Sequence, residues 1–240
     1  GQMSQRVGVV GDETLAAAVE AAGGDPIVGA ASDLDGIDFA VADGEAAVVD
    51  LLRAEVGVPV LPVAAGRGVR SVPSTDAPSA LERVLDGEYR TERHPVVSAQ
   101  RAFNGVHALF DVMLVAAEPA RISEFSVRCA GESVARFRAD GVVASTPAGS
   151  VGYNSAAGGP VVATGTDVVS VVPLAPFATD ADQWVLPLDE VTLSVERDET
   201  PVELLADGRT ERTVAAGEPV TLSTSERFET VVVPESERFF

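Results

Sequence analysis

The sequence contains no lysine; all seventeen of its basic residues are arginine. That excludes a phosphate-loop lysine, a lysine Schiff base and a lysine general base. Cysteine occurs once, at Cys129, which rules out an internal disulfide and a multi-cysteine zinc site. The two histidines, His94 and His107, stand apart in sequence and make no metal cluster, so no metal ligand set is expected. Apolar residues make up 46% of the 240, yet no run approaches the length of a membrane span, so a soluble chain without membrane contact is expected. No signal-peptide pattern opens the sequence, and the cytoplasm is the expected compartment. Gly1-Gln2 ahead of Met3 reads as a remnant of expression with no part in the fold.

Positive charge is scarce overall. Seventeen basic against thirty-seven acidic residues gives 17 − 37 = −20. Such acidity opposes nucleic-acid binding, which needs cationic contacts to phosphate. The acids are dispersed rather than gathered in a tail, and lysine's long apolar stem is missing. Both features favour adaptation to a salt-rich cytoplasm over an acidic interaction surface.

Two textures divide what is present. Up to about residue 93, strands and helices alternate. Arg6 to Val10, Ile27 to Ala30, Phe39 to Ala42 and Val58 to Val63 read as strands; Glu13 to Ala22, Ala46 to Glu55 and Asp76 to Leu85 read as helices. Asp12 can cap the first helix and Gly23-Gly24 stops it. This alternation predicts a Rossmann-like parallel sheet covered by helices, with ligands outside the carboxyl ends of the strands. From residue 94 to 227 the stretches are short and β-rich: 106–116, 122–129, 132–138, 140–145, 168–173, 190–196, 202–206 and 219–223. Turn signals such as Ala130-Gly131, Asp140-Gly141, Asp207-Gly208 and Ala216-Gly217 separate most of them. The expected fold is an α/β N-terminal domain followed by a β-rich domain.

One segment is denser in chemistry than the rest: Asp140 to Pro160, DGVVASTPAGSVGYNSAAGGP. Glycines let backbone approach a ligand closely, and hydroxyls with free N–H groups satisfy phosphate and ribose oxygens. The order of its residues resembles the signature of the NAD kinase family. There Asp-Gly is followed by apolar or small residues, then Thr-Pro-Thr-Gly-Ser-Thr-Ala-Tyr and Gly-Gly-Pro. Asp140-Gly141, Thr146-Pro147, Gly149-Ser150, Tyr153 and Gly158-Gly159-Pro160 keep their places, while Ala148, Val151 and Gly152 replace Thr, Thr and Ala. The resemblance implies the same two-domain division, with a strand near 229–234 returning residues 228–240 to the first domain. It also implies a dinucleotide held by Asp140, Thr146, Gly149, Ser150 and Tyr153, with weaker similarity reaching Asp207-Gly208 and making Asp207 a further cofactor-binding candidate.

The family's activity is transfer of a phosphoryl group from ATP, or polyphosphate, with Mg²⁺, to the 2′-hydroxyl of NAD. It centres on a Gly-Gly-Asp-Gly-Thr loop. Here Asp43-Gly44 matches the Asp-Gly, and the resemblance implies that Asp43 is the catalytic carboxylate beside a nucleotide-contacting Gly44. The preceding glycines have become Val41 and Ala42, and the threonine has become Glu45, a charge that would repel triphosphate. Without the resemblance, Asp43-Gly44 is equally a strand-to-helix turn with Glu45 favouring the helix N-terminus. The family's Asn-Glu pair, which contacts the nucleotide, corresponds to Phe110-Asp111, so the resemblance implies a nucleotide contact from Asp111 that keeps only the carboxylate. Its Asn-x-Gly-x-Leu-Gly-Phe loop corresponds to VAAGRGVRSV, where Arg67 and Arg70 could supply phosphate charge, and its Pro-His-x-Leu-x-x-Arg-Pro stretch has lost both His and Arg at 176–183. The resemblance also implies a homodimer or homotetramer.

Three rivals stand beside an active NAD kinase. One is a non-catalytic nucleotide-binding homologue with an eroded phosphate loop. Another is a lipid or sugar kinase sharing the Gly-Gly-Asp-Gly loop, against which the Thr-Pro-x-Gly-Ser to Tyr segment speaks. The last is a serine hydrolase built on Ala148-Gly149-Ser150-Val151-Gly152, disfavoured because both histidines precede Ser150 whereas the α/β-hydrolase order places histidine last. The charge yields a test of its own. Melting temperature is expected to rise substantially between about 0.1 and 2 M KCl, because salt screens self-repulsion; a flat or falling curve removes the halophilic reading.

Overall fold

The first half of the chain opens on short apolar strands with little polar alternation, as a sheet covered on both faces requires. A computed structural model describes residues 4–101, 104–118 and 121–240, without the side chains of Arg101, Asn104 and Ser225. Gly1, Gln2 and Met3 lie outside the described residues. Strand β1 (Arg6–Val10) leads to helix α1 (Thr14–Ala21), β2 (Asp25–Val28), β3 (Phe39–Asp43), α2 (Glu45–Arg53), β4 (Val60–Val63) and α3 (Ala77–Leu85). The strands pair in parallel in the order β2-β1-β3-β4.

Local chemistry explains the boundaries. Asp12 accepts the Thr14 N–H at 2.9 Å, so α1 begins one residue later than expected, and that bond holds the Asp12 carboxyl below its usual range. In α3 the buried residues Ala77, Ala80, Leu81 and Val84 follow the one-face spacing of a helix. They pack with Val7, Val9, Val41, Leu61 and Val63 into one apolar core. Strand β2 lies two residues earlier than expected, where Arg6 pairs Asp25 and Val9 pairs Val28.

The chain forms two compact units, residues 1–94 with 228–240, and residues 95–227. The second contains β5 (Arg90–Arg101, which begins in the first), β6 (Asn104–Ala108), β7 (Asp111–Ala116), β8 (Ser123–Cys129), β9 (Glu132–Ala139) and β10 (Gly141–Ser145). It continues with α4 (Pro147–Ser150), α5 (Tyr153–Ala156), β11 (Val168–Leu174), β12 (Trp184–Pro187), β13 (Val191–Arg197), β14 (Val202–Ala206), β15 (Arg209–Val214) and β16 (Pro219–Val232). The far end of β16 belongs to the first unit, where Thr230 pairs Val60 in parallel. One antiparallel sheet runs β12-β11-β10-β7-β14-β15. Its inner face contributes Val112, Leu114, Val142, Ala144 and Val171 to a core shared with Phe125, Val127, Leu193 and Val195 of β8 and β13. Strand alternation turns Met113, Val143 and Val172 to the opposite face, where Ala157 packs on them.

Several expectations change here. The stretch 106–116 is two strands rather than one, because side chains from elsewhere capture the backbone at 109–111. Strands 219–223 and 229–234 are one continuous β16. Strands β5, β12 and β15 went unread. β15, RTERTV, and the start of β5, RTERH, are charged, and β12 and β15 are the edges of their sheet, where charge protects against stray pairing.

His94 reports on the first unit's interior. It is 2% exposed and its Nε2 lies 2.9 Å from Thr230 Oγ1. Burial pushes the imidazole down from 6.5 to about 4, against an opposing pull from Glu92. The fold thus keeps the ring neutral where the unfolded chain protonates it. Its contribution is complete above pH 6.5 and is lost as pH falls from 6.5 to about 4. Over that window it amounts to at most about 3 kcal/mol. Urea unfolding at several pH values checks this: His94→Gln should lose that part of the slope, and an unchanged slope would refute the assignment.

Candidate functional site

In the first unit the sheet order creates a crevice between β1 and β3. The connection after β1 leads to β2 on one side, and that after β3 leads to β4 on the other, which is where open α/β sheets bind ligands, beyond the carboxyl ends. Asp43 is the last residue of β3 and Gly44 caps α2 with φ 92°. Gly11, just beyond β1, faces them: a Cβ there would lie 2.8 Å from Asp43 Cβ and 2.9 Å from its carbonyl oxygen, and its φ is 109°. Only glycine lets the two strand ends come this close. Asp43 is half-buried and Glu45 is exposed in the first turn of α2.

Arg67 and Arg70 follow β4. Arg67 Nη1 donates to the Phe239 carbonyl at 3.1 Å. Arg70 donates to the Glu237 carbonyl at 3.0 Å and to Glu92 at 3.1 Å. Arg70 is thereby a bridge between the C-terminal segment and β5.

In the second unit the signature segment turns its hydroxyls inward. Thr146 caps α4: its Oγ1 accepts the Gly149 N–H and donates to the Leu109 carbonyl at 2.6 Å, and its own N–H donates to the Phe110 carbonyl at 2.9 Å. Ser150 Oγ donates to the Pro147 carbonyl and accepts the Val162 N–H. Both residues are 0% exposed. A Cβ on Gly149 would sit 1.9 Å from the Phe110 carbonyl oxygen, so glycine here serves the approach of loop to sheet. Thr146, Gly149 and Ser150, expected from the resemblance to hold the dinucleotide, make these contacts within the protein. They shape the loop, Thr146 and Ser150 through buried hydroxyls that have protein partners. The same geometry speaks against the hydrolase: Ser150 is wholly buried, and its Oγ donates to the Pro147 carbonyl and accepts the Val162 N–H.

Asp207 also works on the protein. It sits in the β14–β15 turn at φ 52°, and its carboxylate accepts N–H groups of Leu109 (2.8 Å), Phe110 (2.7 Å) and Asp111 (3.2 Å). These bonds remove the three donors from the sheet ladder and separate β6 from β7. Asp111 follows at the head of β7, buried, with Ser145 and Ser170 beside it across β10 and β11.

Asp140 and Tyr153 are brought together. They line a pocket of about 470 Å³ with Val115, Ala157, Leu174 and Pro176, large enough for a nucleoside-sized group. Tyr153 is 51% exposed, its ring presented rather than packed. Asp140 is held by its backbone, whose N–H donates to the Leu174 carbonyl and whose carbonyl accepts the Ala116 N–H.

Two residues escaped the sequence reading. Gly11 carries no local signal beyond standing at a strand end. Asn154, wholly buried, donates to the Ser150 and Pro160 carbonyls and accepts from Ser170 Oγ, tying α5 to the sheet. An amide inside a small-residue loop was the available hint. Among the described residues no group of three or more His, Cys, Asp or Glu side chains could hold a metal ion, and no helix is long and apolar enough to cross a membrane.

With this geometry in view, the chain can be set beside known proteins. Residues 109–233 match the model of the ATP-NAD kinase C-terminal domain. The NAD kinase of Heliobacterium modesticaldum is 31% identical over 177 residues, 70% of this chain and 62% of that protein. The NAD kinase of Symbiobacterium thermophilum is 36% identical over 164 residues, 65% of this chain and 58% of that one. The match thus spans less than two thirds of either relative's length. In fold, the chain resembles an NAD kinase from Archaeoglobus fulgidus in complex with ATP (TM-score 0.81, 24% identity, 99% of this chain and 96% of that one). It also resembles yeast NADH kinase complexed with NADH (TM-score 0.79, 16% identity, 97% and 84%). Because the family match takes in the 109–111 segment, the inward-turned loop and the Tyr153 pocket, over more than half of the chain, the chain belongs to the NAD kinase family.

Proposed function

We propose that the protein phosphorylates the 2′-hydroxyl of NAD to give NADP, with ATP or polyphosphate as donor. The observation that carries this reading is the pocket joining Asp140 to the exposed ring of Tyr153 in a chain of this family. The dinucleotide occupies it, with Tyr153 against a ring face and the Asp140 carboxylate accepting from ribose or amide donors, while Asp111 meets the nucleotide. In the first unit Asp43 stands at the crevice where ligands of such sheets bind, with Gly44 opening α2 beside it.

In the reaction Asp43 accepts the proton of the 2′-hydroxyl as that oxygen bonds to the terminal phosphorus; the bond from that phosphorus to the bridging oxygen breaks and ADP departs. Catalysis of this kind is mainly positioning and charge stabilisation. In this reading Mg²⁺ arrives with the triphosphate, since it is commonly held by phosphates and one or two carboxylates. When bound, Mg²⁺ would neutralise charge on the triphosphate. A cytoplasmic homodimer or homotetramer in a salt-rich cell completes the reading, supported by the net charge of −20 and by the family.

Stacking of an aromatic side chain on a base is worth roughly 1–3 kcal/mol, so Tyr153→Ala should weaken NAD binding about tenfold or more by calorimetry. Unchanged affinity in a folded variant would move the dinucleotide elsewhere.

Asp43→Asn should leave NAD affinity nearly intact while lowering NADP formation by roughly 10²–10⁴. Glu45→Thr should raise turnover by removing a negative charge near the triphosphate. Wild-type protein that binds NAD yet forms no NADP with either donor, while Glu45→Thr forms some, would establish a binding homologue. Equal activity of Asp43→Asn and wild type would refute the role of Asp43.

A further inference from the structure

The Leu109–Phe110–Asp111 backbone is gripped from two directions by residues remote in sequence. Its three N–H groups donate to the Asp207 carboxylate, and the Asp111 carbonyl accepts the Asp207 N–H at 2.9 Å. On the other side, the Leu109 carbonyl accepts from Thr146 Oγ1, and the Phe110 carbonyl from the Thr146 N–H. Gly149 leaves no space for the Phe110 carbonyl to shift toward the loop. The segment's polar groups are thus held on both edges, and a carboxylate accepting several N–H groups is among the stronger side-chain-to-backbone attachments. What leaves this clamp is Asp111, the first residue of β7.

We infer that Asp207 is a positioning residue for the nucleotide site: it touches no ligand and acts through the Leu109–Asp111 backbone, fixing where Asp111 meets the nucleotide. The inference rests on the proposed nucleotide-binding role of Asp111. Asp207 lies at the tip of the β14–β15 hairpin, so the geometry of that hairpin is transmitted to the site through one side chain. Thr146, which caps the loop leading to Tyr153, shares the same segment. The loop and the hairpin therefore set the position of Asp111 jointly, and neither can move without the other losing hydrogen bonds.

The test compares wild type, Asp207→Ala, Asp207→Asn, Asp111→Ala and the double variant Asp111→Ala/Asp207→Ala. Calorimetry with NAD and with ATP is paired with amide hydrogen exchange at residues 109–111. Displacing Asp111 removes a hydrogen bond between a charged group and the nucleotide, so Asp207→Ala should lose between about ten- and a hundredfold in nucleotide affinity. Asp207→Asn, which keeps one acceptor oxygen, should recover part of it. Exchange at 109–111 should accelerate in step. Asp207→Ala should have little further effect once Asp111 is alanine, a non-additivity that a merely structural role would not produce. If Asp207→Ala fails to fold, the Asn variant and its cycle with Asp111→Ala decide the matter. Faster exchange with unchanged affinity overturns the positioning role while leaving the proposed function standing. Full additivity with Asp111→Ala also overturns it. A wild type that binds neither nucleotide overturns both readings together.

Discussion

The second unit depends on how closely its signature loop approaches the sheet beneath it. At Gly149 the loop backbone passes so near the Phe110 carbonyl that even a methyl group would overlap it. Thr146 and Ser150 convert that approach into hydrogen bonds, and Asn154 continues them to Ser170 on β11. A buried polar network of this kind is stabilising only while every member is paired, since an unpaired donor or acceptor costs about 1–3 kcal/mol. The loop is accordingly rigid at its base, and Tyr153 is presented from a fixed platform.

The first unit uses the same device on a smaller scale. Gly11 lets β1 end against Asp43, so the carboxylate stands at the crevice of a parallel sheet rather than in a wider loop. What differs from the family pattern is the chemistry around it. Val41 and Ala42 are buried in β3, and Glu45 occupies the helix start. A carboxylate there is favourable for α2 through the helix dipole and unfavourable for triphosphate through simple repulsion. The two effects act on different states of the protein, free and donor-bound.

Charge is distributed rather than structural. Exposed pairs such as Arg121 with Glu118 contribute little in water, typically under about 1 kcal/mol. The arginines that matter for the fold are those with defined carbonyl or carboxylate partners. Arg70 and Arg67 hold the C-terminal segment, and Arg83 with Ser79 holds Glu235, keeping its carboxyl below the usual range despite the opposing effect of burial.

Much of the architecture could be read from residue order, because it rests on local rules. Continuous apolar strands alternating with amphipathic helices implied a parallel sheet. Turn dipeptides between short β stretches implied a β-rich unit, and the Asp140–Pro160 signature implied the family. The absence of lysine and the net charge are properties of composition alone. Direction was not available at that level. Whether a hydroxyl faces a ligand or a carbonyl depends on what packs against it, and the carbonyls that claim Thr146 lie 37 and 36 residues away. Asp207 reaches the 109–111 backbone across 96 to 98 residues, and no local periodicity encodes that meeting. The charged edge strand β15 becomes a strand because β14 supplies its partner through a two-residue turn. Sequence by itself determined most of the elements and the family; tertiary structure decided which polar groups pair within the protein, because hydrogen-bond partners are assigned by proximity in space.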